Sequence, residues 1–489
     1  MSDDDGLIRG IKATFVSRFV SIAANGLLIL LLSRFLLGPE GYGMLFLALS
    51  ILAVAQLVAD LGIARSAARY VSQYKETDRG QVPHILHISL RIKVVLIAVV
   101  VVALVAGRHR VASVLGQPEL AVLLLVGCGY VVAFSCKNYT VSVFQGFNAV
   151  EYSAVVTIVD YTSRVVFVVV FVTLGWGVLG ALVGYIAGGM LASGLGFGLL
   201  FYHFYRQYDP ATRPAEGLRR RILEYSVPLT ASESANVLDR RIDIVLIGFF
   251  LTPAAVGFYT LAKQIAEFVV APAGSVGFAL SPAYGEEKAN DRLERAARIY
   301  ESSLQFVVLL YVPAAVGLLL VAEPAVTLVF GTDYAGAVPV VQVLCLYLFF
   351  QAVTNVTTQA LDYLGRARHR AIAKGITSVL NVVLTILFIP VWGIVGAAVA
   401  TVLTFGLYTL ANVYVMHVEL PLSYGRLGRI ASGAIGISAV MGATVLVVAD
   451  EISGLLSLGA VVALGIVIWA GLATASGLLD VRKAVSMLT

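Results

Sequence analysis

Charge is what this 489-residue sequence has least of: Asp, Glu, Lys and Arg make up 13% of it, where soluble domains carry roughly 25%. A chain so poor in charge cannot cover a water-facing surface of its own size. Cysteine is nearly absent as well. Cys128, Cys136 and Cys345 fall in apolar segments without metal-ligand spacing, so they read as small packing residues and say nothing about redox compartment. There is no G-x-x-x-x-G-K-[ST] loop, which excludes ATP hydrolysis by that route, and no H-E-x-x-H or similar metal motif. The longest polar connection, 206–224, is too short to be a catalytic domain. The sequence therefore leads us to expect no enzyme, no metal and no cofactor.

What it has instead is hydrophobicity: 59% of residues and a mean hydropathy of +0.91. Apolar runs of about 18 or more residues recur from end to end, each long enough to cross a ~30 Å hydrocarbon core as a helix. They predict an all-α polytopic membrane protein with helices near 13–36, 41–63, 85–107, 119–139, 154–174, 177–205, 226–250, 255–281, 300–321, 336–360, 371–389, 393–418, 429–449 and 456–478. Met1-Ser2-Asp3-Asp4-Asp5 is acidic and no small-residue cleavage site follows, so the first run is expected to be a membrane helix rather than a secretory leader.

Basic residues tie this count to an orientation. Arg65, Arg69, Lys75 and Arg79, then Arg219, Arg220 and Arg221, then Lys288, Arg292, Arg295 and Arg298, then Arg366, Arg368, Arg370 and Lys374 crowd alternate connections. The opposite connections hold only Arg34, Arg108 and Arg110. A miscounted helix would invert that alternation, so both termini are expected in the cytoplasm and the protein in the cell membrane. The net charge of +5 sits beside the spans, where it suits anionic membrane lipids rather than nucleic acid.

The chain also repeats itself. Phe35-Leu36-Leu37-Gly38-Pro39-Glu40-Gly41-Tyr42-Gly43 is echoed by Phe249-Phe250-Leu251-Thr252-Pro253-Ala254-Ala255-Val256-Gly257, an offset of 214 (253 − 39). Trp176-Gly177-Val178-Leu179-Gly180-Ala181 is echoed by Trp392-Gly393-Ile394-Val395-Gly396-Ala397, an offset of 216 (392 − 176). Each half would hold six helices. An even number keeps the halves in one orientation, as parallel repeats with a substrate path between them. The expected organisation is a tail 1–12, a six-helix lobe 13–205, a basic cytoplasmic linker 206–224, a second lobe 225–418, and helices 13 and 14 with the C-terminus in 419–489. Gly180, Gly184 and Gly188, followed by Gly194 and Gly198, read as a packing stripe.

Ionisable residues inside a membrane cost several kcal/mol unless they face one another or a wet space. The expected seventh helix carries Ser232, Asn236, Asp239 with Arg240, and Asp243 at three- and four-residue steps, one polar stripe, with Glu233 and Arg241 beside it. A substrate cavity is the expected neighbour of such a face; a structural polar seam is the alternative. Arg18 and Asn25 align on the first helix, Asp160 with Arg164 on the fifth, and Lys263 with Glu267 on the eighth. Either of the last two pairs would also neutralise itself at i,i+4 spacing. Asp60 is expected at the interface. If these helices line one cavity, its arginines suit phosphate oxygens, and its acids orient them or carry a coupling proton or sodium ion.

The stretch Asp239-Arg240, Ile247-Gly248, Val256-Gly257-Phe258-Tyr259 and Ala262-Lys263, the turn Leu37-Gly38-Pro39-Glu40-Gly41-Tyr42-Gly43, and Ile389-Pro390-Val391-Trp392-Gly393-Ile394-Val395-Gly396-Ala397-Ala398 together resemble the polysaccharide-biosynthesis flippases. That family stands in the superfamily of multidrug/cation antiporters and lipid II flippases. The resemblance implies two six-helix lobes around a central cavity, alternating access, and a saccharide on a polyprenyl or dolichyl phosphate moved from the cytoplasmic to the outer leaflet. It implies partners among glycan-assembly enzymes, and it carries over Asp239 and Arg240. The alternative is an ion-coupled exporter of cationic compounds, whose cavity would be expected to be dominated by acids.

Overall fold

The computed structural model describes residues 2–478, and side chains throughout them except at 2–9, 11, 231–236, 275–282 and 424. Its described residues are helical almost throughout and contain no strand. The chain forms two compact units, Met1–Gly257 and Phe258–Thr489.

The first unit holds α1 (Ser2–Leu30), α2 (Gly38–Asp60), α3 (Ile63–Thr77), α4 (Val82–Val114), α5 (Leu120–Gly146), α6 (Val150–Phe171), α7 (Gly177–His203) and α8 (Leu218–Phe250). The stretch 64–84, expected as a loop, is instead largely α3. Ile63, Ala64, Ala67, Tyr70 and Val71 recur at helical spacing and are buried, giving a short amphipathic helix whose apolar face packs on α5. Between α2 and α3 the backbone turns left-handed at Leu61 (φ 36°) and Gly62 (φ 63°). A methyl at Gly62 would lie 2.8 Å from the Ser226 carbonyl of α8, so glycine is what lets α8 come this close.

The glycine stripe of α7 works by the same close approach. Methyl groups at Gly184 and Gly188 would lie 2.6 Å and 2.9 Å from the α6 backbone at Val168 and Arg164. Gly194 and Gly198 meet nothing within 4 Å, so the packing stripe ends at Gly188. The connection after α7 is fastened to the start of α4: Gln81 Nε2 donates to the Arg213 carbonyl (3.1 Å), Gln81 Oε1 accepts from the Ala215 N–H (2.7 Å), and His84 Nε2 lies 2.7 Å from the Ala211 carbonyl.

The second unit takes α9 (Pro253–Ala289) from its second turn onward, α10 (Leu293–Phe330), α11 (Val338–Tyr363), α12 (Ala367–Glu419), α13 (Tyr424–Ala449) and α14 (Leu455–Ala475). The 53-residue α12 is two helices joined across a kink at Gly393. Buried Glu301 of α10 accepts from the Ser423 N–H (2.6 Å) and from Arg426 Nη1 (3.3 Å), and Trp469 Nε1 of α14 donates to the Leu309 carbonyl (2.7 Å). These bonds hold the last two helices on α10, around an apolar groove of about 380 Å³ that includes Pro313, Met441, Val461 and Trp469.

Ten segments are long and apolar enough to cross a membrane. Three of them, of 49, 58 and 53 residues, each have room for two crossings of about 20 residues. Among the described long helices α8 alone is too polar for that test, because Asp239, Arg240, Arg241 and Asp243 lie within five positions. Adding it brings the crossings to the expected fourteen: the chain is a multi-pass membrane protein.

Candidate functional site

The break after α2 shapes the polar heart of the first unit. By ending α2 at Asp60 and redirecting the chain, it sets Asp60, Gly62 and Arg65 along a cavity of about 440 Å³. Gln56 of α2, Asn138 of α5, and Thr230, Val237, Arg240 and Arg241 of α8 complete most of the wall. Among the described wall residues, three guanidinium groups thus face one space with a single carboxylate.

That carboxylate is engaged. Asp60 Oδ1 accepts from Lys93 Nζ at 2.6 Å, and Oδ2 accepts from Gln56 Nε2 at 3.2 Å. The Lys93 side chain is 0% exposed and Asp60 25%, so the lysine, which a low-dielectric interior tolerates only when paired, is neutralised from the cavity edge.

A second charge cluster lies behind the wall. Asp160 of α6, fully buried, accepts through Oδ2 from both Arg164 Nη2 (2.6 Å) and Lys137 Nζ (2.8 Å). The Arg164 guanidinium sits 4.7–5.0 Å from the ring centres of Tyr161, Tyr185 and Phe134, and Lys137 Nζ is 4.6 Å from that of Phe134. Asp160 Oδ1 and Arg164 Nε are buried with no hydrogen-bond partner. Lys137 is within electrostatic reach of Asp60, and Arg241 of Tyr130 and Tyr185. The charges therefore run as one series from Lys93 through Asp60, Lys137 and Asp160 to Arg164. The cluster holds two cations for one carboxylate, so its field adds to that of the cavity arginines.

Of the residues singled out from sequence, Arg240 lines the cavity, and Asp160 and Arg164 form the buried pair behind it. Asp239 is half-buried beside Arg240, and Asp243 is 1% exposed. Asn236, with Ser232 and Glu233, lies outside the described side chains. Arg18 and Asn25 are exposed on α1 and are not in the cavity wall. Lys263 and Glu267 lie in the second unit: Lys263 is buried with its ammonium 5.8 Å from the Tyr259 ring centre, and Glu267 is exposed. Sequence reading passed over Lys93, Lys137, Gln56 and Asn138 and kept Asp60 and Arg65 out of the site. Lys93 and Lys137 each interrupt an apolar run, and the cost of burying a charge there is the signal that would have flagged them.

Comparison with known proteins places this architecture. Residues 7–286 match the family model described as polysaccharide biosynthesis protein, and residues 228–387 match the model named MatE. The chain is 23% identical over 395 residues to the probable low-salt glycan biosynthesis flippase Agl15 of Haloferax volcanii, covering 80% of each chain. It is 26% identical over 426 residues to the lipopolysaccharide biosynthesis protein WzxC of Escherichia coli, covering 84% of this chain and 80% of the relative. Its fold resembles that of the lipid II flippase MurJ in an inward closed conformation, with a TM-score of 0.76 at 16% identity over 96% of this chain and 98% of that one. A helical membrane chain with more than half its length under that first description belongs to the polysaccharide biosynthesis protein family.

Proposed function

We propose that the protein is a flippase for a saccharide carried on a polyprenyl or dolichyl phosphate, moving it from the cytoplasmic to the outer leaflet for surface glycan assembly or protein glycosylation. The observation that carries this reading is the cavity with Arg65, Arg240 and Arg241 on its wall and with the one carboxylate among its described wall residues, Asp60, held by Lys93. Planar guanidinium forks match phosphate oxygens in both geometry and charge, and the polar groups of Gln56, Asn138 and Thr230 suit sugar hydroxyls. The probable glycan biosynthesis flippase and the lipopolysaccharide biosynthesis protein among the relatives support the same substrate class.

Arg240 is the central phosphate contact and Asp239 its orienting partner; Asn236, Asp243, Arg18, Asn25, Arg164, Asp160, Lys263 and Glu267 are the remaining candidates for the transport path. Transport proceeds by alternating access between two six-helix lobes, 13–205 and 225–418, joined by a cytoplasmic linker, with both termini in the cytoplasm. The matched backbone at the two Trp-Gly turns supports the duplication: Gly177 has φ 52° and ψ −133°, and Gly393 has φ 58° and ψ −139°.

The MatE match favours a second reading, an ion-coupled exporter of cationic compounds. A cavity whose described wall residues hold three arginines and one carboxylate would repel such cargo, so the flippase reading stands first. The test is the sidedness of lipid-linked saccharides in cells lacking the protein, read with a sugar probe that cannot cross the membrane. Accumulation facing the cytoplasm, reversed by wild type and not by Arg240→Ala, is the expected result. Unchanged sidedness together with increased drug sensitivity would move the assignment to the exporter.

A further inference from the structure

Beyond Arg65, α3 and the start of α8 bring together a second group of guanidinium side chains that the transport reading does not use. The groove here, the seam between α3 and the first turns of α8, is fixed by a short ladder. The Gly62 backbone lies against the Ser226 carbonyl, Ser66 Oγ donates to the Ile222 carbonyl at 3.0 Å, and Tyr70 OH donates to the Arg221 carbonyl at 3.2 Å. Those residues form one face of α3. Arg65 and Arg69 stand beside it at i,i+4, neighbours on the helix surface and about 6 Å apart along its axis. Arg65 is on the cavity wall; Arg69 is exposed one turn further out.

Arg69 is held on an aromatic platform. Its guanidinium is 4.1 Å from the Tyr225 ring centre and 5.9 Å from that of Tyr70, and the two rings meet edge to face at 6.5 Å. A guanidinium stacked on a ring has its plane fixed and its N–H edges still able to donate. Arg221, one turn before Tyr225 on α8, lies 6.0 Å from the Tyr74 ring centre and gives one N–H to the Glu216 carbonyl (3.1 Å). Its Nε is buried without an acceptor, an unmet donor of the kind that costs stability unless a ligand satisfies it. Glu224, three residues further along α8, is engaged by Arg220 at 2.6 Å.

We propose that this groove is a phosphate-binding staging site, in which Arg69 and Arg221 hold the phosphate of the lipid-linked substrate before it passes to Arg65, Arg240 and Arg241. The proposal rests on the flippase reading above. It makes Arg69 and Arg221 direct phosphate contacts for capture, and gives the α3–α8 ladder the task of keeping the two guanidinium groups next to Arg65 of the cavity wall.

The test uses the full-length protein in phosphatidylcholine vesicles with a fluorescently tagged polyprenyl-phosphate saccharide, measuring initial flipping rate against probe density. Arg69→Gln combined with Arg221→Gln is expected to raise the half-saturating density about tenfold, the scale of losing a charge-assisted hydrogen bond, with a smaller effect on the plateau. Arg240→Ala is expected to lower the plateau at every density. Arg69→Lys with Arg221→Lys, which keeps charge and loses the planar fork, is expected to fall between wild type and the glutamine variant, and guards against a folding defect in the latter. Wild-type half-saturation in the glutamine variant, with Arg240→Ala inactive, overturns the staging site and leaves the cavity standing. Full flux in Arg240→Ala overturns the role of Arg240 in the cavity, and no flux in the wild-type protein overturns the flippase reading itself. A shift seen only when phosphatidylglycerol is added to the vesicles means that the groove binds bulk anionic lipid, and the staging site is then overturned.

Discussion

Gly43 and Gly257 each abut the backbone of the other's turn. A methyl group on Gly43 would overlap the Pro253 carbonyl, and one on Gly257 would overlap the Pro39 carbonyl. The two glycines and the two prolines are separated by the same 214 positions (257 − 43 and 253 − 39), so the repeated turn is complementary to its own copy. α2 runs 23 residues from this contact to Asp60, about 33 Å at ~1.5 Å per residue. The interlock and the basic cavity therefore lie at opposite ends of one membrane-length helix.

The interlock predicts non-additive substitutions. Gly43→Ala and Gly257→Ala should each lower stability by about 1–3 kcal/mol, the usual cost of forcing a methyl into packed space. Since one methyl already separates the turns, the double variant should lose less than the sum, as neighbouring sites commonly do. Thermal unfolding of the purified full chain measures all three; strict additivity would show that the two glycines do not share a contact.

Asp60 and Lys93 form a pair that is costly to break from one side. Asp60→Asn leaves a fully buried ammonium uncompensated and should destabilise by about 3–5 kcal/mol, whereas adding Lys93→Met to it should recover most of that loss. Surviving membrane protein after heating, assayed by gel filtration, gives the order wild type, double variant, single variant. A single variant as stable as wild type would mean that the lysine is hydrated.

Arg164 is open to a test that leaves every charge in place. A methyl at Gly188 already comes within 2.9 Å of the Arg164 backbone, whereas Gly194 faces open space. Gly188→Val should push α6 from α7, shift the Asp160–Arg164–Lys137 cluster and cut transport several-fold, since misplacing a group by about 1 Å is already costly. Gly194→Val should leave transport within twofold of wild type. Equal activity of the two variants would separate the buried cluster from transport.

These pairings show what a linear sequence does and does not carry. Fourteen crossings follow from apolar run length because that is a local signal, and the repeated turns stand out because they are short and periodic. Arg240 was found since Asp239, Arg240 and Asp243 crowd a single helix. Lys93 and Lys137 stand out less for the opposite reason: Lys137 is the lone charge of its stretch, Lys93 has only Arg91 near it in α4, and the partner of each lies on another helix, Asp60 for one and Asp160 for the other. Which helices become neighbours is set by packing contacts such as Gly62 on Ser226, and no stripe drawn on one helix at a time contains them. α3 escaped notice because a 15-residue helix rich in arginine looks, in one dimension, like a basic loop.

The two Trp-Gly turns offer the sharpest test of the duplication. Gly177 and Gly393 share a positive φ with ψ near −135° (−133° and −139°), a region closed to residues with a Cβ. Neither glycine has a heavy atom within 4 Å of where a Cβ would stand, so crowding adds nothing and any penalty is one of backbone alone. Gly177→Ala and Gly393→Ala should therefore each cost about 1–3 kcal/mol, and by the same amount. The sites lie far apart in sequence and in different units, so the double variant should lose the full sum, in contrast to the Gly43–Gly257 pair. Unfolding curves of the three variants decide it: a marked inequality between the single substitutions would mean that the two turns only look alike, and that the repeat does not extend to their energetics.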